Sequence, residues 1–275
     1  MPGLKTETKL VKRLACLLLS AASIGACSPQ APEPTPSPVQ STEAAPAAPD
    51  YAAIAADPSR PAADRDADNL RKPVQMLEFA QLEEGQAVLE MLPGAGYFTH
   101  LFAGTVGESG SVVLYVPDEL VSKKWVPLQR AEELRDAMAD PAVSVAHFPL
   151  SGPVPEAMAE KFDLVWTSRN YHDFHNIEEF DPAAYNAMVM DLLKPGGFYV
   201  VLDHSAPEGT AAQHSDTTHR IDGDFVRREI EASGFLYDGA SAVLSNPEDP
   251  RDIDVRDPSV IGRTDQFILR FRKSG

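Results

Sequence analysis

The segment from Val88 to Phe98 constrains the fold of this chain more than any other stretch, because it joins a strand, a glycine turn and a helix start. It opens with a short apolar run typical of a buried strand, with Glu90 near the end of that run. Gly94 and Gly96 allow backbone angles and a close ligand approach that a Cβ atom would block. The segment therefore predicts a ligand-binding turn at the carboxyl edge of a sheet.

Strands and helices alternate along the rest of the chain. Strands are predicted at residues 87–91, 111–116, 144–148, 164–167, 198–202, 235–243 and 266–271. Helices are predicted at residues 51–57, 70–82, 97–106, 125–139, 181–193 and 221–233. The charged stretch 60–69 and the Pro- and Asp-rich stretch 246–265 are expected to be loops, the second either a lid or a surface excursion. This alternation predicts an α/β fold with a doubly wound, mostly parallel, seven-stranded sheet.

The N-terminal 26 residues have the pattern of a bacterial lipoprotein signal peptide. A basic start precedes the apolar stretch 14–25, which is short for a transmembrane helix. Residues 23–26 and Cys27 resemble a lipobox, in which the cysteine is acylated after cleavage. Since Ser28 rather than aspartate follows, we expect a lipid anchor at the periplasmic face of the outer membrane. A plain secretory signal with an incidental cysteine is the alternative.

Residues 27–50 are rich in proline and alanine and predict a disordered tether, so residues 51–275 are the expected folded domain. The chain has 41 acidic and 24 basic residues, a formal net charge of −17. This charge argues against nucleic-acid binding, which depends on basic contacts to phosphate. Membrane contact is expected only through the lipid on Cys27, and the sequence gives no indication of the oligomeric state.

Three motifs together resemble the class I S-adenosylmethionine-dependent methyltransferases. They are residues 90–98 after the first strand, Phe162-Asp163-Leu164-Val165 at the fourth, and residues 192–198 before the fifth, which contain a Lys-Pro-Gly-Gly turn. Shorter motifs at residues 71–73, 171–175, 203–204, 219–222 and 264–267 resemble an uncharacterised group of bacterial predicted methyltransferases. The resemblance covers residues 57–273. It implies a single-domain Rossmann-like methyltransferase fold, S-adenosylmethionine as cofactor and a small-molecule substrate.

The resemblance also implies roles for individual residues. Glu90 matches the acid that lies near the amino-acid end of the cofactor, and Gly94 and Gly96 match glycines whose backbone approaches it. Tyr97 is a further candidate for the cofactor pocket.

The chain departs from the family pattern at two places. Leu92 stands at the usual first glycine, followed by Pro93. After the second strand, where the family has an acid for the ribose hydroxyls, Pro117 precedes Asp118 and Glu119, so Asp118 would have to bind from a shifted turn. A nicotinamide-binding turn is a weaker interpretation, since the glycine pattern is incomplete.

Histidines cluster after the fourth and fifth predicted strands, at His172, His175, His204 and His214. A histidine that titrates near neutral pH can deprotonate a methyl acceptor. We predict His204, next to Asp203, as the first catalytic candidate and His172 as the second. A metal site built from His172, His175, Asp203 and His204 is an alternative, although no metal is predicted. The histidines could also serve only to cap helices and bind loop carbonyls.

The predicted function is methyl transfer to an unidentified small molecule or envelope component. Because S-adenosylmethionine is made in the cytoplasm, an exported non-catalytic binding protein on the same fold is an alternative. A metal-dependent enzyme that uses the cleft histidines is another. Arg71, Lys72 and Arg220 are candidates for holding an anionic group, if they are not simply solvated.

Overall fold

The computed structural model describes residues 48–275. The predicted signal peptide, Cys27 and most of the predicted tether lie outside the described residues. The described residues belong to one compact unit. In this part of the chain, no helix has the length and apolarity needed to cross a membrane.

Helices and strands alternate much as expected. The helices are α1 (Tyr51–Ala55), α2 (Ala62–Arg71), α3 (Pro73–Ala80), α4 (Tyr97–Val106), α5 (Asp118–Val121), α6 (Pro127–Met138), α7 (Tyr171–Phe174), α8 (Pro182–Leu192) and α9 (Gly223–Ala232). The strands are β1 (Ala87–Met91), β2 (Ser111–Pro117), β3 (Val143–Phe148), β4 (Phe162–Ser168), β5 (Leu193–His204), β6 (Leu236–Ser241) and β7 (Gln266–Arg272).

The seven strands form one sheet in the order β3-β2-β1-β4-β5-β7-β6. Strands β1 to β5 pair in parallel, whereas β7 runs antiparallel to both β5 and β6. The predicted α/β fold with a mostly parallel, seven-stranded sheet is confirmed. The direction of β7 was not predicted. A loop rather than a helix joins β6 to β7, so this connection forms no parallel crossover.

The strand order reverses at β1, which has β2 on one side and β4 on the other. In open α/β sheets, a crevice forms at such a point, outside the carboxyl ends of the strands. The loops that follow β1 and β4 therefore face each other across this crevice.

The expectation of a charged loop at residues 60–69 is wrong, because α2 covers most of it. Arg60 is buried and pairs with Asp68 of α2 at 2.8 Å, which holds the helix against the domain. The helix ends at Lys72, which takes a left-handed conformation. Pro73 has no N–H to continue α2 and instead begins α3.

The long stretch 246–265 is fixed to the domain by a buried ion pair. Both Arg220 and Asp249 have fully buried side chains, and Arg220 Nη1 lies 2.8 Å from Asp249 Oδ2. The backbone N–H of Asp265 donates to the same carboxylate at 2.6 Å. Arg220 therefore holds this loop rather than an external anion. The prediction that Arg220 binds an anionic group is wrong.

Candidate functional site

The turn after β1 keeps the left-handed path that its glycines were expected to supply. Leu92 has a φ of 49° and Gly94 a φ of 63°. The Leu92 N–H donates to the Tyr115 carbonyl at 2.9 Å, and the side-chain amide of Asn170 donates to the Met91 carbonyl at 2.9 Å. Leucine is strained in this conformation, but these hydrogen bonds and its buried side chain hold it there.

Two cavities meet at this turn. One has a volume of about 290 Å³ and the other about 410 Å³, and Leu92, Pro93, Gly94 and Asn170 line both. Each volume is near or within the range of small-molecule sites, about 300–1,000 Å³. The turn between β1 and α4 is thus the wall that the two cavities share.

The smaller cavity brings the carboxylates of Glu90 and Asp64 together with two guanidinium groups. Glu90, Arg71 and Arg169 all line it. Arg169 Nε donates to the Gln266 side chain at 3.1 Å. Within residues 48–275, none of the ion pairs involves Arg71 or Arg169, so both charges remain available to an anion.

The environment of Glu90 makes it an unusual acid. Its carboxylate is buried and accepts a hydrogen bond of 2.6 Å from the Thr99 hydroxyl. Burial raises the pKa of Glu90 to about 8, against the opposing effects of Thr99 and Arg71. A cationic ligand group beside Glu90 would favour its ionised form.

Arg169 keeps its charge at neutral pH. Burial, and then the nearby charge of Arg71, lower the pKa of Arg169 to about 10. Arg169 follows β4 directly and has a φ of 60°. This backbone conformation, fixed by an N–H bond to the Leu202 carbonyl at 2.7 Å, turns the chain at the cavity wall.

Tyr97, a candidate for the cofactor pocket, lines the wall of the smaller cavity. Its hydroxyl donates to Asp68 at 2.7 Å, and the Arg71 guanidinium lies 4.4 Å from the centre of its ring. Because Asp68 also pairs with Arg60, Tyr97 fastens α2 over this cavity.

The larger cavity has an apolar side and a polar side. Leu120, Trp125, Pro127 and Ile177 form the apolar side, and Asp173, Asn176 and His219 belong to the polar side, with Lys123 and Arg130 as basic neighbours. Trp125 is 44% exposed, a large fraction for an indole. Such a wall suits a flat, partly polar ligand group.

Among the residues predicted to be catalytic, His172 and Asp203 form a buried pair. His172 Nδ1 lies 2.8 Å from Asp203 Oδ1, and the His172 N–H donates to Asp203 Oδ2 at 2.9 Å. Burial alone would lower the pKa of His172, but Asp203 and then Asp173 raise it. Burial would raise the pKa of Asp203, but His172 holds it below its usual value. Each partner therefore favours the charged form of the other.

His172 reaches the larger cavity through two neighbours. Its Nε2 lies 3.4 Å from Asp173 Oδ1, and His219 Nδ1 lies 3.9 Å from the same oxygen. Asp173 and His219 line the cavity directly. The sequence pointed to His172 and to the motif that begins at His219, 47 residues further along, but it did not indicate that both histidines approach Asp173.

His204, the first candidate for a catalytic base, lies away from both cavity walls. Its side chain is buried, and its Nδ1 bonds to the Thr264 hydroxyl at 2.8 Å. Burial lowers the pKa of His204 to about 3, so it is neutral at physiological pH. A neutral, enclosed imidazole has a structural role here, which corrects the prediction of His204 as the base. His175 also lines neither cavity, and its Nε2 lies 3.3 Å from the Glu229 carboxylate.

Two predicted cofactor contacts have other partners. Asp118 begins α5, and its carboxylate bonds to His147 of β3 at 2.7 Å, outside the walls of both cavities. Glu119 accepts from the Leu150 N–H at 3.0 Å. Gly96 caps α4, and a Cβ there would lie 2.6 Å from Leu134 Cδ1. Gly96 thus allows α6 to pack closely, whereas a Cβ on Gly94 would meet open space.

Several cavity residues were not predicted from the sequence. Arg169 and Asn170 follow β4, and Trp125 precedes α6. The position of Arg169 and Asn170 directly after a parallel strand was a usable signal, because polar residues there face the crevice. Trp125 gave no comparable signal, since it lies in an irregular connection.

Comparison with known proteins is informative for the fold. No protein-family model matches the sequence, and no protein of curated function matches it. Solved structures that resemble the chain include an S-adenosylmethionine-dependent methyltransferase from Aquifex aeolicus, with a TM-score of 0.54 and 18% identity over 81% of this chain and 98% of that one. Another, from Mesorhizobium loti, has a TM-score of 0.50 and 17% identity over 75% and 98%.

The 4+2 cyclase SpnF has a similar score, 0.53, with 17% identity over 78% of this chain and 81% of that one. These structures define the class: the chain has the Rossmann-like fold of class I S-adenosylmethionine-dependent methyltransferases. Because identities are below 20% and a cyclase shares the fold, the likeness shows architecture, and the chemistry must be argued from the site.

Proposed function

We propose that this protein is an S-adenosylmethionine-dependent methyltransferase that acts on a small molecule or an envelope component. The observation that carries the proposal is the smaller cavity, which Glu90, Arg71 and Arg169 all line. A carboxylate and two guanidinium groups complement the ammonium and carboxylate of an amino acid. The methionyl end of the cofactor supplies both groups.

The remainder of the cofactor fits the two-cavity arrangement. The turn at Pro93 and Gly94 borders both cavities, so a ligand lying along it reaches from the smaller to the larger one. The apolar wall with Trp125 suits the adenine ring. The polar group of Asp173 and His219 is then on the acceptor side. S-Adenosylmethionine, when bound, supplies the methyl group, and the chain orients it and excludes water.

The exported binding protein is the second candidate, and the acids after β2 favour it. Asp118 and Glu119 are bonded to His147 and to the Leu150 N–H, and neither lines either cavity. Under this hypothesis, the larger cavity binds a different ligand, and S-adenosylmethionine has no measurable affinity.

Calorimetric titration of the full-length protein with S-adenosylhomocysteine and 5′-methylthioadenosine separates the two candidates. The second compound lacks the amino-acid end. Replacing Arg169 by Gln should weaken S-adenosylhomocysteine binding about tenfold or more, because a charge-assisted bond contributes about 1.5–3 kcal/mol. Binding of 5′-methylthioadenosine should stay within about twofold. Arg135→Gln, on the outer face of α6, is the matched control.

If the wild type shows no heat with either compound at millimolar concentration, the methyltransferase proposal is wrong. If Arg169→Gln weakens the binding of both compounds equally, the amino-acid end of S-adenosylhomocysteine does not bind at Arg169.

We also propose lipid attachment at Cys27 and an envelope location, on the basis of the N-terminal sequence. Mass spectrometry of the mature N-terminus should detect a diacylated Cys27, and Cys27→Ser should release the protein from membranes. An unmodified, cleaved N-terminus away from Cys27 would contradict this.

A further inference from the structure

His172, Asp173 and His219 form a compact group of donor atoms to which the methyltransferase proposal gives no chemical role. One ligand atom from each residue lies within 4.8 Å of the other two. The contact between His172 Nε2 and Asp173 Oδ1 is 3.4 Å, and that between His219 Nδ1 and Asp173 Oδ1 is 3.9 Å. Both are long for hydrogen bonds, so hydrogen bonding alone does not account for the grouping.

The distances are close to those of a metal site. Metal–nitrogen bonds of about 2.1 Å place neighbouring ligands about 3.0–3.4 Å apart in octahedral or tetrahedral geometry. The Asp173–His172 separation already has this value. His219 Nδ1 lies slightly beyond this range from Asp173, at 3.9 Å, and its side chain is 27% exposed, so binding would require His219 to move closer.

The surroundings of His172 support the same interpretation. A metal-binding histidine commonly donates its second ring N–H to a carboxylate, which fixes the ring and its tautomer. Asp203 does this for His172, with a 2.8 Å contact to Nδ1. Asp203 is itself fixed by the N–H groups of His172 and His204, at 2.9 and 2.7 Å. His172 Nε2 is therefore directed at Asp173 by a rigid, fully buried support.

We propose that His172, Asp173 and His219 bind a divalent first-row transition metal at the polar side of the larger cavity. Two imidazoles and one carboxylate suit zinc, iron(II), cobalt(II), nickel or manganese. Since Asp173 and His219 line the cavity, the remaining coordination positions face it and are open to an oxygen atom of a small ligand. His172 is then a ligand and not a free base, so this proposal replaces its predicted acid–base role.

The metal site differs from the one considered on sequence grounds. His175 and His204 are excluded, because they contact Glu229 and Thr264. Asp203 supports His172 from behind and is a positioning residue. The Arg256 guanidinium, which acts on Asp173 electrostatically, is bonded to Asp254 at 2.6 Å, so its charge is largely compensated.

Cobalt(II) titration of the full-length protein, purified without an affinity tag and stripped with a chelator, tests the proposal. We expect one equivalent to bind with micromolar affinity or better and to produce visible absorption bands of a protein-bound ion. His219→Ala and Asp173→Asn should each weaken binding at least about tenfold, with unchanged circular dichroism. Asp203→Asn should weaken it about 10- to 100-fold.

His147→Ala is the matched control, because His147 also lies beside a carboxylate, at 2.7 Å, but outside both cavities. It should bind cobalt like the wild type. The proposal is overturned if the wild type does not saturate at millimolar cobalt, if folded His219→Ala binds as tightly as the wild type, or if His147→Ala loses as much affinity. The titration contains no S-adenosyl compound, so its outcome is independent of the methyltransferase proposal.

Discussion

His172 Nδ1 lies 2.8 Å from Asp203 Oδ1, and the Asp203 side chain is fully buried. A second histidine–aspartate pair, His147 and Asp118, has nearly the same separation, 2.7 Å, but its side chains are 54% and 43% exposed. The chemistry of the two pairs is the same, and burial distinguishes them. Burial therefore decides how much each pair contributes to stability.

Asp203→Asn should destabilise the metal-free protein by about 3–5 kcal/mol, because it leaves a buried group without its charged partner. Asp118→Asn should lower the free energy of unfolding by less than about 1 kcal/mol, since solvent screens the exposed pair of Asp118 and His147. Urea unfolding of both variants in the presence of a chelator measures the difference. Similar losses for the two variants would contradict the assigned burial.

Because of the raised pKa of Glu90, we expect the stability of the protein to depend on pH. Its pKa is raised to about 8 in the folded protein from an ordinary 4.5, so the folded state binds the proton more tightly than the unfolded state. The contribution of protonated Glu90 to the free energy of unfolding is complete below about pH 4.5 and is lost as the pH rises through about 8. Between pH 6 and 9 the free energy of unfolding should fall by on the order of 2 kcal/mol from this group.

Glu90→Gln isolates this effect, because its side chain is neutral at every pH. The difference in stability between the variant and the wild type should shift in favour of the variant from pH 6 to pH 9. Urea unfolding at the two pH values gives this difference. A difference that does not change with pH would mean that Glu90 has an ordinary pKa.

Gly94 and Gly96 should respond differently to alanine, although both have positive φ angles, 63° and 85°. Gly96→Ala adds a methyl group 2.6 Å from Leu134 Cδ1. Gly96→Ala should lower the free energy of unfolding by at least about 1 kcal/mol more than Gly94→Ala does, because overpacking adds to backbone strain. Gly94→Ala projects into open space at the cavities and should mainly weaken S-adenosylhomocysteine binding. Urea unfolding and calorimetry separate the two effects, and equal stability losses would argue against the contact with Leu134.

Trp125 provides a spectroscopic test of the larger cavity. The chain has two tryptophans, and the other, Trp166, is fully buried in the core. Binding of S-adenosylhomocysteine should change the fluorescence of the wild type, and this change should be absent in Trp125→Phe. Trp125→Ala should weaken binding about 3- to 10-fold, the effect of losing one aromatic contact. A full fluorescence change in Trp125→Phe would place the adenine ring elsewhere.

Much of the fold could be predicted because its signals are local. The limits of β1 and α4 were predicted to the residue, since the apolar run and the glycine turn specify both elements. Residues 60–69 were misjudged because composition alone suggested a solvated loop. The ion pair between Arg60 and Asp68, which fastens α2, is a tertiary contact that no local pattern reveals.

The site was predicted less completely. Glu90, Gly94 and Tyr97, which were chosen from the motif after β1, line the smaller cavity. His204 was chosen because it is next to Asp203, and Asp118 because the family has an acid after the second strand, but sequence position does not determine the direction of a side chain. His204 bonds to Thr264, and Asp118 bonds to His147.

The sequence by itself determined the strand, turn and helix from Val88 to Phe98, and with them the edge of the sheet at which the two cavities lie. These features follow from apolar periodicity and from the backbone freedom of glycine, which are properties of neighbouring residues. The tertiary structure alone decided that Arg169 and Glu90 line the same cavity and that His219 lies beside His172 and Asp173. Such groupings depend on which distant segments the sheet brings to one edge, and on which side chains are buried there.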